Sequence, residues 1–318
     1  MLNPNQESLI EISVIVPAHN RPRELQECLR ALSKQNYPIN KFEVIVCDDG
    51  STESVAEVIA RARDLNLNVT HLRQEQRGPA AARNLGIRHA SGEIIAMTDS
   101  DTVPKHDWLN NLYVSLIESP EAVGVEGKVY SLNDFEFFPL GEGPANTSGK
   151  VYLTCNCAYR RATLFQAGGF DETFPFPAYE DVELAAQIQK LGAILWQPKA
   201  IVLHPQRALT LRTVIKKLTH WEYVLITAFR FGYFAWPQYQ TRFPRFRAIV
   251  LSVIALPVSK LKEAAECVFF SPSAAAKLAI LGIAESLCAL FLVVPKILFS
   301  DFTAKGIRKD YLNKGNLN

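Results

Sequence analysis

The feature that most constrains the fold is an alternation in the first hundred residues. Short β-branched runs each end in a polar cluster and are followed by apolar residues at helical spacing. Ile12-Ser-Val-Ile-Val-Pro17 is followed by Pro22 and by Leu25, Cys28, Leu29 and Leu32 within Arg23–Lys34. Phe42–Cys47 stops at Asp48-Asp-Gly-Ser-Thr52 and leads into Val55, Val58, Ile59 and Ala62, with Ser51 or Thr52 expected to cap that helix. Val69–Leu72 predicts a third strand, Pro79–His89 a helix, and Glu93–Met97 a fourth strand starting from the Ser91-Gly92 turn. Strands alternating with helices imply a parallel sheet covered on both faces, with ligands at the carboxyl ends of the strands. His19-Asn20, Asp48-Asp49 and Asp99-Ser-Asp101 follow strands one, two and four, so the pattern puts all three clusters at one sheet edge.

Beyond Asp101 the pattern is α+β. It predicts a helix near His106–Glu118, strands near Val123–Tyr130 and Val151–Tyr159, a helix from about Asp181 to Leu191, and an apolar run, Ala200–Leu203, that ends at His204. The expected organisation is a catalytic domain over 10–207, with a nucleotide-binding half (10–101) and an acceptor half (102–207). A helical, partly apolar extension follows over 208–318.

Charge separates the same two parts. The net charge of the 318 residues is only +2, yet Met1–His204 carries −8 and Pro205–Asn318 carries +10. An acidic part suits cations and polar ligands, and a basic one suits an anionic surface. Trp221–Tyr239 holds eight aromatics, and Arg242, Arg245 and Arg247 follow. The apolar stretch Ala248–Val258 is too short to span a bilayer; Leu278–Val294 is 17 residues long and interrupted by Glu285, at the lower limit of a span. We therefore expect a membrane surface as partner, met peripherally or by shallow insertion. No nucleic-acid-binding signature accompanies the basic residues. The six cysteines show no C-x₂-C spacing and read as reduced, and Ile12–Val16 is too short for a secretory signal. The expected location is the cytoplasmic face of the membrane.

Chemistry narrows the reading further. Two carboxylates in an Asp99-x-Asp101 pattern at a strand end point the same way and can share a hard cation, Mg²⁺ or Mn²⁺. Asp48, an acceptor-only group facing the crevice, suits a base N–H or a ribose hydroxyl. Arg83 and Asn84 lie within two turns of a helix N-terminus that favours anions, although the small residues around them also suit close helix packing. Gly-x-Gly-x-x-Gly and the P-loop pattern are absent, which argues against a dinucleotide fold and a Walker-type NTPase.

Pro17-Ala-His-Asn-Arg21, Asp48-Asp-Gly-Ser-Thr52, Gly78 through Gly86, Asp99-Ser-Asp101, Cys155-Asn-x-x-x-Arg160, Gly168-Gly-Phe-Asp171 and Glu180-Asp181 follow one another over roughly Ile12–His204. In order and spacing this set resembles the family 2 glycosyltransferases. The resemblance implies an α/β GT-A fold with a Rossmann-like mixed sheet, a nucleotide-sugar donor with a UDP-sugar favoured, a divalent metal, and inversion at the anomeric carbon. It implies a saccharide or lipid-linked acceptor of polysaccharide or glycolipid type. Carried onto these positions, it marks Pro17, His19, Asn20, Asp48, Gly78, Arg83, Asn84, Asp99 and Asn156 as nucleotide-sugar contacts. Glu180 falls on the acceptor side, Asp101 and His204 are metal ligands, and Asp181 is the catalytic base. A base is required in any case, since the attacking hydroxyl must lose its proton opposite the leaving diphosphate. The rival readings are a non-catalytic nucleotide-sugar-binding or scaffolding protein of the same fold, which would need neither Asp101 nor Asp181, and a nucleotidyltransferase, which would want a Gly-rich basic loop at Pro17–Arg21.

Overall fold

The structure is a computed structural model and describes residues 10–132, 141–174, 179–208, 283 and 312. Strands β1 (Ile12–Ala18), β2 (Phe42–Asp49), β3 (Val69–Gln74) and β4 (Ile94–Met97) alternate with helices α1 (Pro22–Leu32), α2 (Ala56–Asp64) and α3 (Pro79–His89). There follow β5 (Val103–Pro104), α4 (Trp108–Glu118), β6 (Ala122–Leu132), β7 (Gly141–Glu142), β8 (Cys157–Arg160), α5 (Arg161–Ala167), α6 (Glu180–Ile188), β9 (Ala193–Pro205) and β10 (Arg207–Ala208). Eight strands form one sheet in the order β3-β2-β1-β4-β8-β6-β9-β5, and β7 pairs with β10 separately. The β3-β2-β1-β4 half is parallel, while β8 runs antiparallel to both β4 and β6.

The first strands read as continuous apolar runs because both faces are covered. Alternation assigns each side chain to a layer: Ile12, Val14, Val16, Val44, Val46, Ile94 and Ala96 join one core with α1, α2 and α4. Ile15, Ile45, Cys47, Ile95 and Met97 join the other, under α3, α5 and α6. The small-residue face of α3 lets that helix sit close. A Cβ on Gly86 would lie 2.7 Å from Ile15 Cγ2 and 2.8 Å from Cys47 Sγ. Leu312 belongs to the second core with Phe170, Leu184 and Ile188, and a Cβ on Gly169 (φ +73°) would lie 2.7 Å from its Cγ.

Two local expectations are corrected. Val151–Tyr159 is not one strand: Lys150 (φ 68°) and Tyr152 (φ 60°) are left-handed, Thr154–Asn156 forms a 3₁₀ turn, and pairing begins only at Cys157. Neither Ser51 nor Thr52 caps α2, whose N-cap is Val55 without a side-chain bond. Both tie to β1 instead, because the Asn20 amide reaches Ser51 Oγ at 3.0 Å and Thr52 N–H reaches Asn20 Oδ1 at 2.7 Å.

By its internal contacts the chain divides into two compact units. One comprises Met1–Leu132, Pro144–Pro205 and Lys309–Asn318, the other Asn133–Gly143 and Gln206–Arg308. Among the described residues no helix is long and apolar enough to cross a membrane. The aromatic cluster Trp221–Tyr239 and the stretches Ala248–Val258 and Leu278–Val294 lie outside the described residues, Ile283 excepted.

Candidate active site

The polar clusters meet at the carboxyl edge of β1, β2 and β4. Asp48 is fully buried; its Oδ1 accepts Ser51 N–H at 2.8 Å and its Oδ2 pairs with Arg73, with His71 Nε2 at 3.7 Å. Burial alone would raise its pKa, but the Ser51 hydroxyl and amide and the Arg73 guanidinium hold it below the usual carboxylate range. Asp49 organises the neighbouring loop, accepting Gln74 Nε2, Arg77 N–H and Gly78 N–H, each at 2.8 Å. Gly78 has φ +91°, which a glycine adopts without strain, and it opens α3. The Asp49 carbonyl lies 2.9 Å from His19 Nδ1. A carbonyl only accepts, so Nδ1 carries the proton and Nε2 is left to accept from Asn20 Nδ2 at 3.2 Å.

Asp99, Asp101 and His204 offer ligand atoms that all lie within 4.8 Å of one another, a group that could hold a metal ion. Asp101 Oδ1 is 3.7 Å from His204 Nε2. His204 Nδ1 sits 2.9 Å from the Pro205 carbonyl, which makes Nδ1 the protonated nitrogen and leaves the Nε2 lone pair toward Asp101. That tautomer and the two carboxylates fit a divalent cation. Arg21 pairs with Asp101 Oδ2 from the loop after β1.

Arg83 is the hub of the site. Its side chain is 3% exposed, Nη2 donates to Asp99 Oδ1 and Nη1 to Glu180 Oε1, both at 2.9 Å. Burial disfavours its charge, but the Asp99 and Glu180 carboxylates outweigh that and raise its pKa. Glu180 and Asp181 open α6 after Tyr179, a left-handed N-cap residue (φ 68°). Burial pushes Glu180 up despite Arg83. Asp181 is only half-buried, accepts Val182 N–H at 2.8 Å, and is pushed up to about 7, first by burial and then by the Glu180 carboxylate beside it. A partly accessible carboxyl with a pKa near neutrality is what a general base needs.

Five of the expected contact residues have side chains hydrogen-bonded within the protein. Arg83 is a buried bridge between two carboxylates. Glu180 is 2% exposed and belongs to that bridge. Asn84 clamps the Gly168–Asp171 turn, accepting Phe170 N–H at 2.8 Å and donating to Phe170 O at 2.9 Å. Asn156 accepts Trp108 Nε1–H and donates to the Lys128 and Ala200 carbonyls, at 2.8, 2.8 and 2.9 Å. Asn20 holds the loop after β2 through Thr52 and Glu53. Pro17 stands in β1 opposite Cys47. Arg21, Arg73 and Asp49 were not among the expected contacts, although Asp49 stood in the strand-end cluster and Arg21 closed the first motif.

The profile described as Glycosyl transferase family 2 matches residues 13–219, about two thirds of the chain. The chain belongs to that family. It is 43% identical over 101 residues to the glycosyltransferase AglE of Haloferax volcanii, covering 31% of this chain and 33% of that protein. It is 38% identical over 103 residues to the poly(ribitol-phosphate) beta-N-acetylglucosaminyltransferase TarS of Staphylococcus aureus, covering 32% of this chain and 17% of TarS. These matches therefore span a third or less of the curated relatives. Among solved structures, S. aureus TarS 1-349 with UDP superposes with a TM-score of 0.57 at 19% identity, covering 89% of this chain and 81% of that one. The mannosyltransferase PcManGT of Pyrobaculum calidifontis with GDP-Man and Mn²⁺ gives 0.59 at 21%, covering 91% and 87%. The fold of this family 2 chain is accordingly GT-A.

Proposed function

We propose that this chain moves a sugar from a nucleotide-diphosphate sugar to an acceptor hydroxyl with inversion at the anomeric carbon. The observation that carries the reading is the Arg83 bridge, which ties Asp99 of the metal-capable group to the residue next to Asp181 through one buried guanidinium. Donor side and base are thereby held in one geometry. In the reaction the acceptor oxygen forms a bond to the anomeric carbon and Asp181 takes its proton. The bond from that carbon to the diphosphate oxygen breaks on the opposite face. Asp99, Asp101 and His204 would hold Mg²⁺ or Mn²⁺. Bound there, the ion supplies Lewis-acid stabilisation of the leaving diphosphate. Asp48, ionised and backed by Arg73, would accept from the base, and Gly78 would let the backbone approach the donor.

UDP, UDP-GlcNAc and GDP-Man occupy the related structures, which supports a nucleotide sugar with UDP favoured. TarS is named for a poly(ribitol-phosphate) acceptor and two other relatives are chondroitin synthases, which supports a polysaccharide or lipid-linked acceptor. The +10 charge after His204 and the aromatic run Trp221–Tyr239 support work at an anionic membrane surface. The deciding experiment incubates the protein with UDP- and GDP-sugars and Mn²⁺ and follows nucleotide release by mass spectrometry. Release that grows with an oligosaccharide acceptor and vanishes in Asp181→Asn supports the reading. Equal release by both proteins overturns it. Flotation with anionic vesicles at low salt tests the membrane surface, and a protein that stays at the bottom of the gradient refutes that part.

A further inference from the structure

Glu126 lies in the middle of β6, facing Trp196 of β9 and Cys157 of β8, and is 1% exposed. A carboxylate so placed is costly unless every lone pair is used. Its hydrogen-bond partners are amide N–H groups. Oε2 accepts Asn146 Nδ2 at 2.9 Å, Val151 N–H at 3.2 Å and Tyr152 N–H at 2.9 Å, and Oε1 accepts Lys150 N–H. Three successive backbone N–H groups converging on one anion form a nest, a concavity that normally takes a bound anion. Here the chain's own carboxylate fills it.

The nest is bent from unfavourable backbone. Gly149 (φ 83°), Lys150 (φ 68°) and Tyr152 (φ 60°) all lie in the left-handed region, where only the glycine is at ease. Lys150 is exposed, so packing of its side chain does not hold it there. Left-handed residues without glycine persist where surrounding groups over-determine them, and they gather at functional sites.

The segment is tied to two elements that carry site residues. Tyr152 Oη accepts Gln189 Nε2 at 2.7 Å, at the end of the helix that Glu180 and Asp181 begin. Three residues further on, the Cys155 carbonyl accepts Thr98 Oγ–H at 3.1 Å, next to Asp99. The Cys155 thiol is pushed up by burial and then by the charges of Asp99, Cys157 and Asp181.

We propose that Glu126 is a positioning residue, its carboxylate holding 146–152 in a strained form and so seating the Thr154–Asn156 turn against Thr98, beside Asp99. The proposal deepens the transferase reading and rests on it. Its test does not depend on turnover. Hydrogen exchange is followed in the full chain for wild type, Glu126→Gln and Glu126→Gln/Lys150→Gly. Gln turns an N–H donor toward the nest, so exchange over 146–155 should rise roughly 10–100-fold, the worth of one or two charge-assisted bonds. Exchange in β1 and β2 should not change. Glycine at 150 adopts the left-handed backbone freely, so the double variant should recover most of the lost protection. In the transfer assay, kcat/KM should fall about tenfold and be partly rescued by the same second change. A rise spread evenly over the sheet, or no rescue by Lys150→Gly, overturns the proposal. Should Glu126→Gln fail to fold, Lys150→Gly alone decides: a higher Tm supports the stored strain and a lower one refutes it. A wild type without transfer activity would sink the function reading and leave the exchange result standing.

Discussion

Arg83 Nη1 and Glu180 Oε1 meet at 2.9 Å with both side chains 3% exposed, although 97 residues separate them in the chain. Breaking such a pair from one side leaves a buried, uncompensated charge. Arg83→Met should therefore destabilise the fold by about 3–5 kcal/mol. Arg83→Lys should recover part of the stability but little of the transfer rate, since an ammonium lacks the fork that spans Asp99 and Glu180. Urea unfolding and initial rates on the same two variants check both halves.

Asp181 gives a pH dependence with a definite sign. Its pKa is raised from 3.8 to about 7, so the base form fills as pH rises and the rate should climb through neutrality and then level. Stability runs the other way. Between the two values the folded state holds a proton that the unfolded chain has released, so the Asp181 contribution is present below about pH 4 and lost by pH 7. Asp181→Asn should lose roughly 10²–10⁴ in kcat, keep nucleotide affinity, and flatten that part of the slope. The checks are a pH–rate profile and urea unfolding at pH 5 and pH 8.

Mn²⁺ binding should report on the three-residue group directly. Asp101→Ala removes the carboxylate facing His204 Nε2 and should abolish binding, whereas His204→Ala should weaken it. Titration with paramagnetic detection of free Mn²⁺ distinguishes the two, and unchanged binding in Asp101→Ala would remove Asp101 from the metal assignment.

Asp49 should matter to the nucleotide and not to the metal. Its two oxygens hold Arg77 N–H, Gly78 N–H and the Gln74 amide. Charge-assisted bonds of this kind are each worth about 1.5–3 kcal/mol. Asp49→Asn should weaken UDP binding about tenfold or more in calorimetry while Mn²⁺ affinity stays within about twofold.

The β/α alternation was legible because β1, β2 and β4 are buried on both faces and end abruptly in polar residues, which no amphipathic helix does. The placement of Asp48, Asp99, Asp101, Asp181 and His204 was legible for a related reason, since a strand or helix end announces where a side chain emerges. What such placement cannot convey is where hydrogen-bonding capacity goes after folding. Asn84 and Asn156 stand in motifs, and nothing in those motifs announces that the Phe170 backbone and the Trp108 indole engage their amides. The partners of Asp48 and Asp101 come from different elements, Arg73 from β3 and Arg21 from the loop after β1. The left-handed backbone at Lys150 and Tyr152 carries no glycine to signal it, which is why a strand was expected there.

Leu312 closes the core beneath α6, against Phe170 and the side-chain-free face of Gly169. On the ribosome this fixes an order of maturation. Residues up to Pro205 leave the exit tunnel with that core still lacking Leu312, and the intervening segment must be synthesised before the gap is filled. At about 5–20 residues per second the delay is roughly 5–20 s. During it the nascent transferase unit carries an apolar opening beside Gly169, where a chaperone would find it.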